Sequence, residues 1–421
     1  MIEVVLGIDV GTSGVRIVAR DRGGALKAMA SAPMIVPLVD FGRALQDPEL
    51  WWQALQDAFK ALDLKDCRVL ALAIDGTSGT VLSVDAGGNA LGLASMYNDV
   101  AEDAFVRRIK TVAPPETAAH GATSALARLL PMQEDAFCVL HQADWLLGRF
   151  CGRYDVSDEN NALKSGYDAV QRAWPKWISD VGGDVQKLPQ VLPAGTRVAR
   201  ILPAVASAFG LPDDVEIVTG TTDGCAAFLA SGAHEAGDGA TSLGTTLTLK
   251  LLSSMPVYAP QYGIYSHRIG DQWLAGGASN CGGAVLRQFF SADDIVRLTP
   301  FMDAKVATGF DYYPLPHAGE RFPINDPGML PKLTPRPPED HVFLQGLLEG
   351  IAEVEALGYR RLAELGASPL RSIRSSGGGA GNDIWTAIRL QKLCVQSLPS
   401  ASQHAAMGTA RLAWRGIGHD A

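Results

Sequence analysis

The sequence predicts an α/β protein of two domains, and three observations carry this prediction. Its 421 residues exceed what one ordinary hydrophobic core accommodates. Short apolar runs bounded by Gly, Thr and Ser turns are interleaved with segments of 3.6-residue hydrophobic spacing, as strands and helices are in α/β proteins. A strand, a Gly-Thr turn and a second strand occur in each half of the chain, at residues 4–20 and 240–252. We therefore expect two related domains that face each other, each presenting a turn to a shared cleft.

The first strand–turn–strand segment consists of residues 4–8, a polar turn and residues 15–20. Glycines in this turn permit positive φ angles and a close approach to the backbone, so N–H groups and hydroxyls can surround phosphate oxygens. The phosphate-binding candidates are Gly11, Thr12 and Ser13. Asp9, at the end of the strand, supplies the oxygen ligand that Mg²⁺ prefers. The alternative is a plain hairpin with an Asx-type turn.

One helix and a further hairpin are expected next along the chain. Residues 48–62 have helical spacing and start with a capping Asp47 before Pro48. Residues 69–74, 75–79 and 80–85 predict a hairpin of the same shape as the first. The polar residues there and downstream suit a polyhydroxylated ligand, because each sugar hydroxyl both donates and accepts. They are Asp75, Thr77, Ser78, Tyr97, Asn98 and Asp99. Taken singly, they also fit turn residues and a solvated helix start.

A carboxylate at the mouth of a buried strand lies near the middle of the chain. Asp223 follows the apolar run 215–218 and a Gly-Thr-Thr sequence, and it precedes the small-residue stretch 224–232. Phosphoryl transfer to an alcohol needs a base of this kind, whereas the simpler interpretation is an N-cap aspartate. The junction between the domains is expected directly afterwards, near Ser231 and Gly232.

The second half contains a second candidate phosphate turn and a glycine-rich loop. The turn holds Gly244 and Thr245, and the loop 376–382 lies between a predicted strand, 370–374, and a predicted helix, 384–393. Three consecutive glycines at such a turn let a ring or a phosphate approach the backbone, as nucleotide sites require. Asn382 and Trp385 could contact an adenine. A simple turn, a flexible loop and a core tryptophan are the alternatives.

Two other segments of the second half are distinctive. Residues 343–365 carry apolar side chains on one helical face. Residues 312–338 contain eight prolines, too many for a helix or a central strand. We expect an ordered loop there, because the segment keeps aromatic residues and charges, among them Glu320, Arg321 and Phe322.

Composition excludes several functional classes. A net charge of −9, without runs of Lys or Arg, argues against a nucleic-acid surface. No apolar stretch approaches the roughly 18–20 residues of a membrane span, and the N-terminus is not a signal peptide. The six cysteines are scattered and form no CxxC pair, which favours a reducing, cytoplasmic compartment over disulfides or a zinc site.

Several segments, in their order and spacing, resemble the FGGY carbohydrate kinases of the actin/hexokinase-type ATPase superfamily. They include LGIDVGTSGVRIVARD, VEIVTGTTDGCAAFLASGA, YYPLPHAGERFPINDP, SGGGAGNDIW and MGTARLAW. AIDGTSGTVLSVD and GGASNCGGAVLRQFF are most similar to the short D-ribulose kinases of cyanobacteria and plants. The resemblance implies two ribonuclease-H-like (actin/hexokinase-type ATPase) domains flanking a deep catalytic cleft. We expect a sugar and phosphate domain at 1–230, completed by 404–421, and a nucleotide domain at 231–403.

The resemblance also implies an ATP-dependent kinase that phosphorylates the terminal hydroxyl of a ketopentose. It implies Asp223 as general base, with Asp9 and Thr12 as partners of Mg²⁺ and phosphate. Ser78 is implied as a sugar contact, with Asn98 beside it, and the adenine side is implied at Gly377, Gly378, Asn382 and Trp385. The expected ligands are ATP, Mg²⁺ and the sugar, on a monomer or a homodimer that binds neither nucleic acid nor membranes.

The sugar turn departs from typical xylulokinases, which carry Met-His-Gly where this chain has Ser78, Gly79 and Thr80. The departure favours D-ribulose, and D-xylulose or another pentulose or polyol is the alternative. A non-catalytic sugar- or nucleotide-binding member of the same fold is a further alternative, although both Asp9 and Asp223 are present. A chaperone- or filament-type ATPase is disfavoured because no large C-terminal substrate domain follows.

Overall fold

The computed structural model describes residues 1–419, apart from the side chain of Asp40. The last two residues of the segment 404–421, which is expected to complete the first domain, lie outside the described residues. The strands in chain order are β1 (Ile2–Val10), β2 (Gly14–Asp21), β3 (Leu26–Pro33), β4 (Leu38–Asp40), β5 (Arg43–Gln46), β6 (Cys67–Gly76), β7 (Val81–Val84), β8 (Ala94–Ser95), β9 (Cys138–His141), β10 (Val156–Asp158), β11 (Gln190–Leu192), β12 (Arg197–Arg200), β13 (Glu216–Thr222), β14 (Asp238–Leu243), β15 (Leu247–Ser253), β16 (His267–Ile269), β17 (Gln272–Ser279), β18 (Ser372–Ser376) and β19 (Gln396–Ser397).

The helices in chain order are α1 (Pro48–Ala61), α2 (Asp103–Val112), α3 (Ala125–Leu129), α4 (Gln142–Cys151), α5 (Glu159–Lys164), α6 (Trp177–Asp180), α7 (Pro203–Phe209), α8 (Asp223–Ala230), α9 (Gly283–Leu286), α10 (Ala292–Leu298), α11 (Asp340–Glu364), α12 (Asp383–Leu393) and α13 (Ala405–Gly416). Single 3₁₀ turns occur at Leu130–Gln133, Val185–Lys187, Pro260–Tyr262, Thr299–Phe301 and Gly378–Gly381. Within residues 1–419, no helix is both long and apolar enough to cross a membrane.

The chain divides into two compact units. The first contains Met1–Ala230, the short segment His267–Gly270 and the chain from His404 onward. The second contains Ser231–Ser266 and Asp271–Gln403. Each unit has its own apolar core, with residues such as Trp51 and Trp145 buried in the first and Phe343 in the second.

The central sheet of the first unit has the order β12-β13-β6-β1-β2-β3. β1, β2 and β3 are antiparallel neighbours, whereas β6 lies parallel to β1 and β13 parallel to β6. The apolar runs predicted as strands at residues 4–8 and 215–218 are buried in this sheet. Because parallel strands end at the same edge of a sheet, the residues that follow β1, β6 and β13 are brought together.

The second unit repeats this pairing pattern in the order β17-β15-β14-β18-β19. Its first three strands are antiparallel neighbours, and β18 and β19 run parallel to β14. The turn between β14 and β15 therefore corresponds to the turn between β1 and β2. The prediction of an α/β protein with two ribonuclease-H-like domains is confirmed.

The predicted hairpin at residues 69–85 is wrong. β6 pairs with β1 and β13 in the central sheet, whereas β7 belongs to a separate sheet with the order β4-β5-β8-β7-β9. Two apolar runs joined by a Gly/Thr/Ser turn fit a hairpin locally, but nothing in such a turn specifies that its two strands pair with each other. The turn instead carries the chain from one sheet to the next.

Two of the predicted helices are confirmed, with small changes at their ends. α1 begins at Pro48, and the Asp47 side chain caps it by accepting a hydrogen bond from Glu49 N at 3.0 Å. α11 begins three residues earlier than the apolar pattern predicts, at Asp340, because polar residues continue its first turn. The proline-rich segment 312–338 contains neither a helix nor a named strand, as its prolines predict.

The C-terminal helix α13 packs between the first unit's central sheet and α8. At Gly408, a Cβ atom would lie 2.0 Å from the carbonyl oxygen of Ala226 and 2.7 Å from Ala230 N. Only glycine permits this approach of two helix backbones, because the atoms in the way are themselves backbone. The close packing brings Thr409, one residue later, onto the end of β6.

Candidate active site

Three aspartates lie at the edge of the first unit's sheet where β1, β6 and β13 end. Asp9 is the register partner of Asp75 across β1 and β6, and Asp223 begins α8 directly after β13. The three carboxyl groups interact electrostatically, because each of the other two raises the pKa of Asp75. The structure thus brings the predicted residues Asp9 and Asp223 together. Asp75, which the sequence suggested for a sugar site, joins them instead.

The Asp75 carboxyl group is completely buried. Its Oδ2 accepts a hydrogen bond from the Thr409 hydroxyl on α13, and its Oδ1 has no donor among the described residues. Burial and the charge of Asp9 raise the pKa of Asp75 well above its ordinary value, and the Thr409 bond opposes the shift. Asp9 lies within hydrogen-bonding range of Asp75. Because two ionised carboxylates repel each other, this contact is favourable only when the two groups share a proton or bind a cation.

Asp9 is the more accessible member of this pair. Burial raises the pKa of Asp9, as does the charge of Asp223, whereas the contact with Asp75 and the charges of Arg16 and His404 lower it. Arg16 Nη1 lies 3.9 Å from Asp9 Oδ2. The sheet edge that carries Asp9, Asp75 and Asp223, here called the aspartate edge, therefore has an excess of negative charge. Asp9 offers it one partly accessible oxygen that could bind a cation.

This donor set fits a magnesium ion. Within residues 1–419, no group of three or more His, Cys, Asp or Glu side chains is arranged to hold a metal ion. Mg²⁺ does not need such a cage, because it usually keeps several waters and binds one or two carboxylates together with substrate phosphates. Asp9, with the donor-less Asp75 Oδ1 beside it, satisfies that requirement.

Asp223 lies in the first turn of α8 and is partly buried. Its Oδ1 accepts a hydrogen bond from Gly224 N at 2.6 Å. The carboxylate thus lies at the N-terminus of the helix, where the helix dipole favours negative charge. The residue is therefore placed as a helix-start aspartate and also beside the two other carboxyl groups.

The first phosphate turn joins β1 to β2. Gly11 N donates to Gly14 O at 3.0 Å, which closes the turn, and Ser13 O accepts from Met34 N at 2.8 Å. In the part of the chain that the structure describes, the N–H groups of Thr12 and Ser13 have no backbone acceptor. Two adjacent unpaired N–H groups beside a hydroxyl form a concave site suited to an anion.

The turn between β6 and β7 is fixed by buried side chains. Thr77 N and Oγ1 both donate to Gln142 Oε1, at 2.9 and 2.8 Å. The Arg128 guanidinium donates to Gly79 O at 2.5 Å, and Thr80 Oγ1 accepts from Tyr97 N at 3.1 Å. These bonds hold both ends of the turn. Ser78 lies between them, and its side chain takes part in none of these bonds.

Ser78 Oγ is shielded from water and has no hydrogen-bond partner among the described residues. A buried hydroxyl without a partner costs about 1–3 kcal/mol, so its presence points to a ligand or water that completes it. Asn98 is exposed. The expectation of Asp99 at a solvated helix start is wrong, because Asp99 is buried and accepts hydrogen bonds from Ser95 Oγ at 2.6 Å and Ala44 N at 2.9 Å.

The second phosphate turn joins β14 to β15. Gly244 O accepts from Gly283 N at 2.8 Å, and Thr245 O accepts from Ala284 N at 3.0 Å. In a planar trans peptide the C=O and N–H groups point in opposite directions, so the N–H groups of Thr245 and Thr246 point away from residues 283–284. Neither has a backbone acceptor in the described chain, so they too form a site suited to an anion.

The glycine-rich loop follows β18 and leads through a 3₁₀ turn into α12, as the sequence predicts. A cavity of about 590 Å³ lies beside it. Its wall combines the loop with the segment after β19, at Ser375, Gly377, Ala380, Gly381, Thr386, Ser397, Leu398, Pro399, Ser400 and Gln403. The size and the mixed polar and apolar lining suit part of a nucleotide.

The two adenine candidates beside this loop have structural contacts. Asn382 caps α12 by accepting a hydrogen bond from Trp385 N at 2.9 Å, and it donates to Thr299 Oγ1 at 3.1 Å. Trp385 is 3% exposed and belongs to the core of the second unit. Neither residue is part of the cavity wall, and the indole ring offers no open face for stacking. Gly377 does line the cavity, and Gly378 adjoins it in the chain.

Several residues of these sites were not predicted from the sequence. Gln142, Arg128 and Thr409 are far in sequence from the groups that they hold, and each stands in a segment without a recognisable polar motif. Only the paired position of Asp75, at the end of a strand like Asp9, offered a signal that could have been used. The other contacts depend on tertiary packing.

Comparison with known proteins gives consistent matches. The model of the N-terminal domain of the FGGY family of carbohydrate kinases matches residues 4–120, and that of the C-terminal domain matches residues 239–416. A xylulose kinase of Escherichia coli (strain K12) is 26% identical over 408 residues, which cover 90% of this chain and 83% of the relative. A gluconokinase of Bacillus subtilis (strain 168) is 22% identical over 424 residues, covering 91% and 82%. The crystal structure of a xylulose kinase from Rhodospirillum rubrum shares the fold, with a TM-score of 0.86 at 21% identity over 99% of this chain and 91% of the other.

Proposed function

This chain belongs to the FGGY family of carbohydrate kinases, and we propose that it transfers a phosphoryl group from ATP to the terminal hydroxyl of D-ribulose. As a member of this family it is a phosphotransferase. The observation that carries the proposal is the convergence of Asp223, Asp9 and an unpaired phosphate turn in the first unit. This arrangement provides a base, a cation ligand and an anion site for one reaction.

In the proposed mechanism Asp223 acts as general base. Its carboxylate accepts the proton of the sugar's terminal hydroxyl while that oxygen attacks the γ-phosphorus of ATP, and ADP leaves. Gly224 N donates a hydrogen bond to Asp223 Oδ1 and thereby orients the carboxylate. Peptide N–H groups of Thr12 and Ser13 would bind phosphate oxygens and stabilise their charge.

Asp9 would hold Mg²⁺, with Asp75 supporting it from the neighbouring strand. When bound, the ion supplies positive charge against the phosphate oxygens of ATP. Asp9 has two tasks in the proposal, since it also borders the substrate. Thr409 on α13 holds Asp75 in place through its hydroxyl, and so supports the geometry that these tasks require.

We assign the sugar to the turn between β6 and β7. The unpartnered Ser78 Oγ would hydrogen-bond a sugar hydroxyl, and Asn98 would contribute an exposed amide. D-Ribulose is favoured because the turn carries small residues where typical xylulokinases carry Met-His-Gly. D-Xylulose is the second candidate, because relatives with 24–26% identity over most of the chain are xylulose kinases.

We assign the nucleotide to the second unit and the sugar to the first, with the domain limits 1–230, 231–403 and 404–421. Gly244 and Thr245 would bind phosphate through the turn's N–H groups, and Gly377 and Gly378 would border the ribose or adenine. Asn382 would act by capping α12 and shaping the loop. Trp385 would support the loop from within the core of the second unit, because its ring is buried.

The proposal places the enzyme in the cytoplasm, as a monomer or a homodimer. All six cysteines are free, and four of them are buried. A protein with this cysteine pattern suits a reducing compartment, in which ATP and sugar substrates are also available.

ADP release with a panel of pentuloses, hexuloses, pentitols, gluconate and glycerol tests the proposal. We expect the highest kcat/KM with D-ribulose, and ³¹P NMR should identify the product as the 5-phosphate. If no compound raises turnover above the ATP-only background, the kinase proposal fails for this panel. A higher kcat/KM for D-xylulose would replace D-ribulose with the second candidate and leave the mechanism unchanged.

A further inference from the structure

We infer that Glu320 is a positioning residue for the second phosphate turn, residues 244–246. Its buried carboxylate fixes the segment 279–284, and this segment orients the peptide groups of the turn toward an anion. Glu320 lies in the proline-rich loop 312–338, to which the proposed function gives no role. The inference rests on the proposed function in one respect, because it takes residues 244–246 as a phosphate site.

The Glu320 side chain is held entirely by hydrogen-bond donors. It is 2% exposed, and it accepts from Ser279 Oγ at 2.5 Å, Asn280 N at 2.8 Å, Arg321 N at 2.9 Å and Tyr313 OH at 3.0 Å. Hydrogen bonds to an ionised acceptor are about twice as strong as neutral ones, and a buried donor that loses its acceptor is costly. Two of the four donors belong to the end of β17 and the residue after it. The carboxylate therefore pins this segment in place.

The loop that carries Glu320 is itself anchored on β17. Phe322 is 1% exposed, and its ring occupies the space above Gly277, where a Cβ atom would lie 2.5 Å from the ring. The Asn280 side chain donates to Gly319 O at 3.0 Å, so a second hydrogen bond ties the loop to the same segment. Glu320 is thus presented from a fixed position.

From this anchored segment, contacts continue directly to the strand that follows the phosphate turn. Cys281 N donates to Ser279 Oγ at 3.0 Å, which links the serine to the next peptide. Cys281 O accepts from Leu247 N at 2.7 Å, at the first residue of β15. A displacement of Ser279 would therefore also move Leu247, the residue that directly follows the turn.

The next residues contact the turn itself. Gly282 has φ of +145°, and a Cβ atom there would lie 2.8 Å from Thr245 O and 2.9 Å from Leu247 N. The next two peptide N–H groups, those of Gly283 and Ala284, donate hydrogen bonds to the carbonyl oxygens of Gly244 and Thr245 in the turn. These bonds turn the carbonyl groups away from the site and leave the N–H groups of Thr245 and Thr246 for an anion.

Nucleotide binding tests the inference without any sugar. Dissociation constants of ATP, ADP and adenosine are measured by calorimetry for the full chain and for E320A, E320Q and S279A. We expect E320A to weaken the binding of ATP and ADP by about tenfold or more. The binding of adenosine should weaken by less than about twofold, because the inference places only the phosphates at the turn. E320Q should retain most of the affinity, since its amide oxygen still accepts from Asn280 N and Arg321 N.

Asp238 provides a matched control. It is a buried carboxylate at the opposite end of β14, where it accepts from Ser372 Oγ at 2.5 Å and from His234 N at 3.0 Å. We expect both D238N and E320A to lower the thermal unfolding temperature, and D238N to leave the ratio of ADP to adenosine affinity unchanged. Equal loss of adenosine and ADP affinity in E320A, or the same selective loss in D238N, would overturn the inference.

Two further outcomes are separated by design. If E320A does not fold, S279A decides the question, because it removes one link and should lower ADP affinity selectively by about threefold to fivefold. Unchanged ADP affinity in S279A would then overturn the inference. A wild-type protein that binds ATP without phosphorylating any sugar would contradict the proposed function and leave this test intact.

Discussion

At the aspartate edge and the sugar turn, individual residues differ in how their polar atoms are satisfied. Asp223 Oδ1 accepts a hydrogen bond from Gly224 N, whereas the buried Asp75 Oδ1 has no donor among the described residues. Ser78 has a shielded hydroxyl with no partner. Such unfinished hydrogen bonding is uncommon in a folded protein and is typical of positions that a ligand completes. These residues therefore give the most direct tests of the proposed reaction.

Replacement of Asp223 by Asn tests the general base. The amide keeps the size of the side chain but cannot accept the proton, so kcat should fall by about 10²–10⁴-fold. ATP affinity, measured by calorimetry, should change little. Asp213→Asn, at an exposed carboxylate before the other end of β13, serves as the control. A kcat within twofold of wild type in Asp223→Asn would exclude this residue as the base.

Replacement of Ser78 by Ala tests the sugar contact. We expect the KM for D-ribulose to rise about fivefold or more, which corresponds to one hydrogen bond of about 1 kcal/mol. Without sugar, the free energy of unfolding should stay the same or increase, because a buried hydroxyl without a partner is removed. Kinetics and urea unfolding measure the two effects, with Ser31→Ala at an exposed position of β3 as control. A loss of stability with unchanged KM would indicate a structural role instead.

At the scale of elements, the functional groups are placed by the ends of strands and helices. β1, β6 and β13 deliver carboxyl groups to one edge, and α13 closes that edge through Thr409. The sugar turn is held by α3 and α4, which contribute Arg128 and Gln142. A change in the packing of these helices should therefore alter activity even where no substrate is touched.

Gly408→Ala tests the close packing of α13 on α8. The added Cβ would meet backbone atoms at 2.0 and 2.7 Å, so α13 must move outward. We expect a loss of about 1–3 kcal/mol in the free energy of unfolding, as for other overpacked sites, together with a lower kcat. Gly92→Ala, where an added Cβ meets no atom within 4 Å, is the control. Equal stability of the two variants would contradict the packing described for α13.

His141, which precedes α4, predicts a specific pH dependence of stability. Burial, with the charges of Arg128 and Lys164, lowers the pKa of His141 from 6.5 to about 3. The unfolded chain therefore binds a proton between these values and the folded protein does not. The contribution of His141 to stability is complete above pH 6.5 and decreases as the pH falls toward 3.

Replacement of His141 by Gln should remove this contribution. The difference in unfolding free energy between wild type and variant should fall by up to about 1.4 kcal/mol per pH unit below pH 6.5. Urea unfolding at pH 4.5 to 7.5 measures it, with His317→Gln at an exposed position as the reference. A difference independent of pH would show that His141 is protonated in the folded protein.

For the whole molecule, the main feature is that two units share one strand pattern and differ in what their turns carry. Each has three antiparallel strands followed by two parallel ones, and each has a Gly-Thr turn between its first two strands. The aspartates and the sugar turn belong to the first unit, and the glycine-rich loop with its cavity belongs to the second. The proposed function therefore assigns one substrate to each unit.

Hydrogen exchange measured by mass spectrometry tests this assignment. ADP should slow exchange at residues 243–247 and 375–386, and D-ribulose should slow it at residues 76–80, because bound ligands protect the amides that they cover. A sugar that is not a substrate, such as sucrose, provides the control for nonspecific effects. Protection by D-ribulose confined to the second unit would contradict the assignment of the sugar.

The sequence by itself determined the fold class, both Gly-Thr turns and the residues Asp9, Asp223 and Gly377 as candidates. These features are local, since a buried strand and a glycine turn are recognisable within about ten residues. For the same reason the residues 69–85 were misread as a hairpin, because a local pattern does not specify which strand lies beside which.

The tertiary structure alone decided which side chains support these candidates. It placed Asp75 against Asp9, attached it to Thr409, and left Ser78 Oγ unpartnered within a turn held by Gln142 and Arg128. It also buried Trp385 and connected Glu320 to a phosphate turn about seventy-five residues earlier in the chain. Burial and hydrogen bonding between distant segments arise only when the chain is packed, so no local pattern contains them.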